Sequence, residues 1–172
     1  MFLCLYNSYD KLRVHDIHIR SIARAAPVCH TLGFHLVLLD FPEPMYDLVA
    51  KSTTIGESGK FLETLREKSR YSELTKRLPL AIPVVTTSKP DNDKQVSCET
   101  LADLCLHGES LAFIVGLGRK GLPRSLRKKA KYHWDCTGKG ISLETCTAIG
   151  FITARFATML EMRKIQYSRK GG

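Results

Sequence analysis

Two glycine-rich segments carry the residue types with the clearest chemical use. The first is Val115-Gly116-Leu117-Gly118-Arg119-Lys120-Gly121-Leu122-Pro123; the second is Cys136-Thr137-Gly138-Lys139-Gly140-Ile141. Glycine admits positive φ and lets the backbone come close to a ligand. Each segment follows a run that reads as a strand, and open α/β sheets bind ligands at the carboxyl edge of their strands. A tight turn explains one such loop; two of them, both after strands, point to a ligand pocket. Gly116, Gly118 and Gly121 match the G-x-G-x-x-G spacing of dinucleotide sites, but after a fourth strand and ahead of a basic segment, so the match alone is weak. A P-loop is excluded. Lys60 is followed by Phe61, Thr54 holds the place of the first glycine, and Lys139 is followed by Gly140.

Beside the first glycine loop, Arg119, Lys120, Arg124, Arg127, Lys128, Lys129 and Lys131 fall within thirteen positions that no acid interrupts. Such a run is a solvated face or a contact for phosphates. The 172 residues include 26 Lys and Arg against 17 Asp and Glu, a formal charge of +9, which favours a polyanionic partner, most simply nucleic acid. No apolar run reaches membrane-spanning length, and the start MFLCLYNSYD lacks the charged region of a signal peptide. A cytoplasmic protein is the expectation. His15, Asp16 and His18 lack a third strong ligand nearby, so no metal is expected. None of the six cysteines forms C-x-x-C; Cys4, Cys29, Cys105 and Cys146 lie in apolar-patterned stretches and are expected as core thiols.

The elements that must position these segments alternate along the chain. Phe2 to Tyr6 is a short apolar strand. Residues 16 to 32 change to a helical period, with Ile22, Ala26, Cys29 and Leu32 on one face, and Pro27 is expected to kink or split the helix. Gly33 is a candidate C-cap. Strands follow at His35 to Leu39, Pro83 to Thr87, Leu111 to Val115 and Tyr132 to Asp135. Residues 43 to 79 suggest one or two surface helices with a loop around Thr53 to Gly59. Ser97 is placed to cap a helix carrying Leu101, Leu104 and Cys105, and a long helix is expected from Ser142 to Gln166. The alternation predicts an α/β fold: a mainly parallel sheet of five to six strands, covered by helices on both faces, in a single domain spanning 1–172.

Three blocks, in order, resemble the SPOUT superfamily of α/β-knot methyltransferases that use S-adenosylmethionine. Ser21-Ile22-Ala23-Arg24-Ala25-Ala26, with Leu32-Gly33 and the strand after it, is similar to the first motif of the ribose-methylating branch. Phe113 to Leu122 resembles the second, a strand running into a Gly-Arg-Glu-Gly loop. Ile141-Ser142-Leu143-Glu144-Thr145-Cys146-Thr147-Ala148 resembles the third, Ser-Leu-Asn-x-Ser-x-Ala. The sequence departs from these motifs at His18 and Arg20, where the family has Asn and Gly, at Lys120 for Glu, and at Glu144 for Asn. The nearest likeness is to a little-characterised archaeal branch.

The resemblance implies a C-terminal deep trefoil knot, one of the rare exceptions to unknotted topology. It implies S-adenosylmethionine held by backbone groups of three loops, with cofactor contacts at Thr86, Thr87, Gly116, Leu117, Gly118, Gly121, Cys136, Gly138, Gly140, Ile141 and Leu143. Arg24 matches the arginine assigned to activating the acceptor or holding phosphate. Glu144 is a possible base or a dipole-compensating surface acid, and Ser142 stands beside it as a further catalytic candidate. Arg20, Arg119, Lys120, Arg124, Arg127, Lys128 and Lys129 are the expected RNA contacts, with tRNA or rRNA as the substrate. The family also implies a homodimer through the first and last helices; here Gly150, Ala154 and Thr158 form a small-residue stripe, with Ile149, Ile152, Phe156 and Met159 as apolar area. Two other readings stay open: a catalytically silent RNA-binding protein of the same fold, and a nucleotide-binding α/β protein without an RNA role.

Overall fold

In the computed structural model, which describes residues 1–51, 57–118 and 120–170, six parallel strands form one sheet. They are β1 (Phe2–Tyr6), β2 (His35–Leu39), β3 (Tyr71–Leu74), β4 (Ile82–Thr86), β5 (Leu111–Gly116) and β6 (Tyr132–Trp134), in the order β3-β2-β1-β5-β4-β6. The apolar runs Leu3-Cys4-Leu5 and Leu111 to Ile114 lie side by side in the centre and are fully buried, as strands covered on both faces must be. Every strand is parallel, so every strand ends at the same edge. Tyr6 pairs with Gly116 and Thr86 with Trp134, which brings the loops after β1, β4, β5 and β6 together. The chain leaves β1 toward β2 on one side and leaves β5 toward β6 on the other, so β1 and β5 flank a topological switch point.

The helices are α1 (Asp16–Leu32), α2 (Tyr46–Ala50), α3 (Ser58–Glu67), α4 (Cys98–Leu106), α5 (Arg124–Lys129) and α6 (Thr145–Lys170). α1 runs unbroken through Pro27. The expected kink costs less here because tertiary burial of Ile22, Ala26 and Cys29 holds the helix on both sides of the proline. Gly33 at φ 79° ends it, and Arg70 Nη2 donates to the carbonyls of Cys29 and Phe34, closing the open end. Ser97 Oγ accepts from Thr100 N at 3.1 Å, as expected of a cap.

Beneath the sheet edge the core centres on Phe34, Phe113, Trp134 and Phe156. The tightest ring pair in it is Phe113 with Phe156, 4.6 Å between centroids. This cluster fixes α6 against β5 and β6. Arg163 adds two bonds to Asp103, at 2.7 and 2.5 Å, tying α6 to α4. Among the described residues no helix is long and apolar enough to cross a membrane.

Two elements differ from expectation. β3 was hidden in the polar stretch 43–79, because Tyr-Ser-Glu-Leu at a sheet edge alternates without an apolar run. α5 coincides with the basic cluster, whose composition gives no apolar face to read. The proposed loop at Thr53 to Gly59 lies partly outside the described residues, and Ser58 and Gly59 begin α3. All six cysteines are free. Cys4 and Cys29 are buried as expected, and so are Cys98 and Cys136, whereas Cys105 and Cys146 are only partly covered.

Candidate functional site

A cleft of about 940 Å³ opens at the carboxyl edge of the sheet, within the size range of small-molecule sites. Its walls are Tyr9 and Ile17 after β1, Thr86 to Lys89 after β4, Gly116 to Gly118 and Lys120 to Leu122 after β5, and Asp135, Cys136 and Ile141 to Thr145 after β6. Thr86, Thr87, Gly116, Leu117, Gly118, Gly121, Cys136, Ile141 and Leu143 therefore meet in one cavity, with Ser142, Glu144, Lys120 and Arg127. Gly138 and Gly140 shape the last loop but do not line the cleft. Arg119 lies outside the described residues.

The loops owe their shape to backbone requirements. Thr86 Oγ1 donates to the Ile114 carbonyl at 2.8 Å, and Thr87 Oγ1 accepts from Lys89 N at 3.2 Å. The first hydroxyl thus ties the end of β4 to β5, and the second is engaged inside the loop. A Cβ on Gly118 would stand 3.2 Å from the Ser8 carbonyl oxygen and 3.3 Å from Tyr9 Cα. The glycine is needed to seat the turn after β1 against the loop after β5, and its N–H donates to Ser8 Oγ at 3.1 Å. Gly121, Gly138 and Gly140 have φ of 62°, 67° and 68°, the left-handed region.

Asp135 was not singled out from sequence, yet it organises the third loop. Its Oδ1 accepts from Thr137 N at 3.0 Å and from Thr137 Oγ1 at 2.7 Å; its Oδ2 accepts from Gly140 N at 2.7 Å. Burial pushes this carboxyl up, and the bonds from Thr137 and the glycine N–H groups outweigh it, holding it below the ordinary carboxylate range. The signal in the sequence was local: an Asp two residues before Thr and ahead of two glycines is an Asx-type turn.

Arg24 sits outside the cleft. It is exposed on α1, and its Nη1 donates to Cys146 Sγ at 3.0 Å. Glu144 Oε2 accepts from Cys146 N at 2.9 Å and Thr147 N at 3.3 Å, capping α6. The two reach the same helix start, both through Cys146. Arg20 is exposed and pairs with Asp16 at 3.2 Å, one helical turn away.

Within the basic cluster the roles divide. Arg127 Nη2 donates to Asp91 Oδ1 at 2.6 Å and to the Lys89 carbonyl at 2.8 Å. Lys94 Nζ donates to the carbonyls of Arg127, Lys128 and Ala130, closing the C-terminal end of α5. Arg127 is therefore a clamp, while Lys120, Arg124, Lys128 and Lys129 extend into solvent.

His15 and His18 hold the loop after β1. His18 is fully buried; its Nδ1 accepts from His15 N at 3.1 Å, so its Nε2–H donates to Asn7 Oδ1 at 3.0 Å. Asn7 Nδ2 donates to the Asp10 carbonyl at 2.6 Å and the Asp40 carbonyl at 3.2 Å. His15 Nε2 pairs with Asp10 Oδ2 at 2.7 Å. Where the resembled motif has Asn, this chain therefore has a buried neutral histidine.

The parallel sheet has the same fold as solved structures described as methyltransferases. A probable methyltransferase from Bordetella pertussis Tohama I superposes with a TM-score of 0.64 at 15% identity, over 92% of this chain and 95% of that one. The SpoU methyltransferase AviRb from Streptomyces viridochromogenes, solved in complex with AdoMet, superposes with a TM-score of 0.54 at 14% identity, over 91% of this chain and 57% of that one. Residues 1–157 match the family described as "Protein of unknown function (DUF531)", and the chain belongs to that family. The uncharacterised protein MJ0224 of Methanocaldococcus jannaschii is 49% identical over 153 residues, 88% of this chain and 90% of its own length.

Proposed function

We propose that this protein is an S-adenosylmethionine-dependent methyltransferase acting on RNA, tRNA or rRNA. The observation that carries the reading is the cleft itself, walled by backbone-shaped loops after β4, β5 and β6 at the sheet's carboxyl edge. The solved structure of AviRb with AdoMet supports the choice of cofactor. Backbone groups of Thr86-Thr87, Gly116 to Gly118, Gly121, Cys136 and Ile141 to Leu143 would hold the cofactor, with Gly138 and Gly140 shaping the last loop, and Leu117, Ile141 and Leu143 would give it apolar walls. When bound, it supplies a methyl group on a sulfonium for in-line displacement. The chain's own part is alignment and proton removal. Arg24, on α1 with its guanidinium against the start of α6, steadies the acceptor or its phosphate. Ser142 and Glu144 stand at the cleft wall, where a proton from the acceptor can be held. Lys120, Arg124, Lys128 and Lys129 bind the phosphate backbone. The ribose-methylating, archaeal-type branch is the closest assignment within the superfamily.

Three further points belong to the same proposal. Residues 1–172 act as one cytoplasmic domain. The segment from Asp135 into α6 threads a trefoil knot. Two copies pair through α1 and α6: Phe151, Ala154, Thr158 and Met162 form an exposed, partly apolar face with a shallow groove. A Cβ on Gly150 would meet nothing within 4 Å, so the helix surface is open at that position. Ile149, Ile152 and Phe156 are buried in the chain's own core and contribute nothing to that face.

One observation favours the silent RNA-binding alternative: Arg24 is engaged with Cys146, and Glu144 with the helix cap. Calorimetry with S-adenosylmethionine, then transfer of labelled methyl to bulk tRNA and rRNA, separates the readings. Micromolar binding with transfer is expected. Arg24→Ala should keep cofactor binding and lower transfer on the order of a hundredfold. Absence of cofactor binding overturns the proposal, and binding without transfer to any RNA supports the silent alternative.

A further inference from the structure

The loop after β1 holds one large aromatic side chain at the mouth of the cleft, and an unusual number of constraints fix it there. Tyr9 lines the cleft and is 56% exposed. Its N–H donates to Asn7 Oδ1 at 3.2 Å, and Asn7 is itself fully buried and bonded to His18, Asp10 and Asp40. Asn7 N also donates to the Leu39 carbonyl at 2.9 Å. On the other side the Ser8-Tyr9 backbone rests closely against Gly118, where an added Cβ would stand 3.2 Å from the Ser8 carbonyl oxygen. The Tyr9 ring is braced nearly perpendicular to His15, with centroids 5.1 Å apart at 80°, and to His18, 6.0 Å apart at 83°. Burial does not explain this arrangement, since more than half of the side chain faces water. The ring is a flat, pre-positioned π surface at a cavity entrance.

From this we infer that Tyr9 is the stacking platform for a nucleobase of the RNA acceptor, a subsite beside the cofactor loops. The inference rests on the RNA-methyltransferase reading and deepens it. The charges at the mouth fit such an occupant. Lys89 and Lys120 line the cleft, while its acids are occupied: Asp135 binds its own loop and Glu144 caps α6. An aromatic face with neighbouring cations takes a base and the phosphates on either side of it. The base must be unpaired to lie flat on the ring, so the target is a nucleotide in a single-stranded segment or loop. The adenine of the cofactor offers the same flat chemistry, and the test separates the two.

Tyr9→Trp places a fluorophore at the platform. The native Trp134 is 2% exposed and gives a constant background. Short oligouridylate and oligoadenylate should quench the new fluorescence saturably. In direct titrations Tyr9→Phe should bind them like the wild type, and Tyr9→Ala roughly ten- to a hundredfold more weakly. The salt dependence of binding should not change in Tyr9→Ala, since no phosphate contact is removed. Calorimetric affinity for S-adenosylmethionine should be equal in all variants. Wild-type oligonucleotide affinity in Tyr9→Ala overturns the inference. So does lost cofactor affinity with oligonucleotide binding intact, which would place the cofactor's adenine on the ring. If the wild type binds no cofactor but oligonucleotide binding still depends on Tyr9, the methyltransferase reading fails and the platform stands.

Discussion

Replacing His18 should destabilise the loop after β1 at neutral pH and remove one source of its acid sensitivity, and the effect can be worked from its bonds. The side chain is fully buried, donates to Asn7 Oδ1 at 3.0 Å, accepts from His15 N at 3.1 Å and meets the Phe41 ring at 5.4 Å. Two buried hydrogen bonds at about 1 kcal/mol each, with an aromatic contact of roughly 0.5–1.5 kcal/mol, give about 2–4 kcal/mol lost in His18→Leu. That is a large part of a typical stability of about 5–15 kcal/mol. The pH dependence follows from the same geometry. Burial first, then the neighbouring His15, lowers the His18 pKa against a smaller opposing effect of Asp10. As pH falls below about 6.5 the unfolded chain takes up a proton that the folded chain refuses. Stability from this group is therefore complete above pH ~6.5 and is lost as pH drops toward the lowered folded value, at no more than about 1.4 kcal/mol per pH unit. His35, also lowered chiefly by burial, adds a similar slope of its own, so the informative quantity is a difference. Urea unfolding of wild type and His18→Gln between pH 7.5 and pH 5, ~0.5 units apart, should show curves that converge as the pH falls. Parallel curves would refute the neutral, Nε2–H histidine and with it the account of the loop.

The glycines of the loop after β5 should fail in different ways. Gly118→Ala drives a Cβ onto Ser8 and Tyr9 backbone and should cost about 1–3 kcal/mol, whereas Gly121→Asn, in open space at φ 62°, should lose much less than Gly121→Ala; urea midpoints decide. Charge reversal of Lys128 and Lys129 to Glu should weaken RNA binding across sequences and flatten its salt dependence, measured by filter binding from low to moderate salt, because fewer counterions are released. An unchanged slope would make α5 an ordinary solvated face. Sedimentation should give a mass near twice 19.3 kDa for the wild type and a monomer for Phe151→Glu, with the folded signal intact; a wild-type monomer would remove the α6 seam.

What could be read from the sequence depended on how each feature is encoded. The central strands were legible because burial on both faces leaves continuous apolar runs such as Leu111 to Val115. The edge strand β3 was not, since one side of it faces no neighbour and its residues are all only half-covered. The cleft was largely legible: two glycine loops after strands put their residues at one edge as soon as the sheet is parallel. The reason for each glycine was not. Gly118 looked like room for a ligand, and its contact is with Ser8 and Tyr9, more than a hundred residues away in sequence. The role of Arg127 as a clamp was equally hidden, because its partners Lys89 and Asp91 belong to another loop. Tyr9 and Asn7 carried no spacing pattern at all.

These long-range contacts bear on how side chains lining the cleft can differ while its scaffold stays the same. The cleft's loops are fixed by backbone bonds, by three left-handed glycines and by Asp135, none of which contributes a group reserved for one acceptor. Side chains at the chamber can then differ without loss of the cavity. His18 lies in a buried network that holds Tyr9, and Glu144 caps α6. Both residues therefore have a structural role of their own beside the cleft. Under the proposed function, a cleft built this way selects its acceptor chiefly through the mouth, where Tyr9, Lys89 and Lys120 stand, and less through the residues nearest the transferred group. Substitutions at the mouth should accordingly move the acceptor's KM, and substitutions at Arg24 should move kcat.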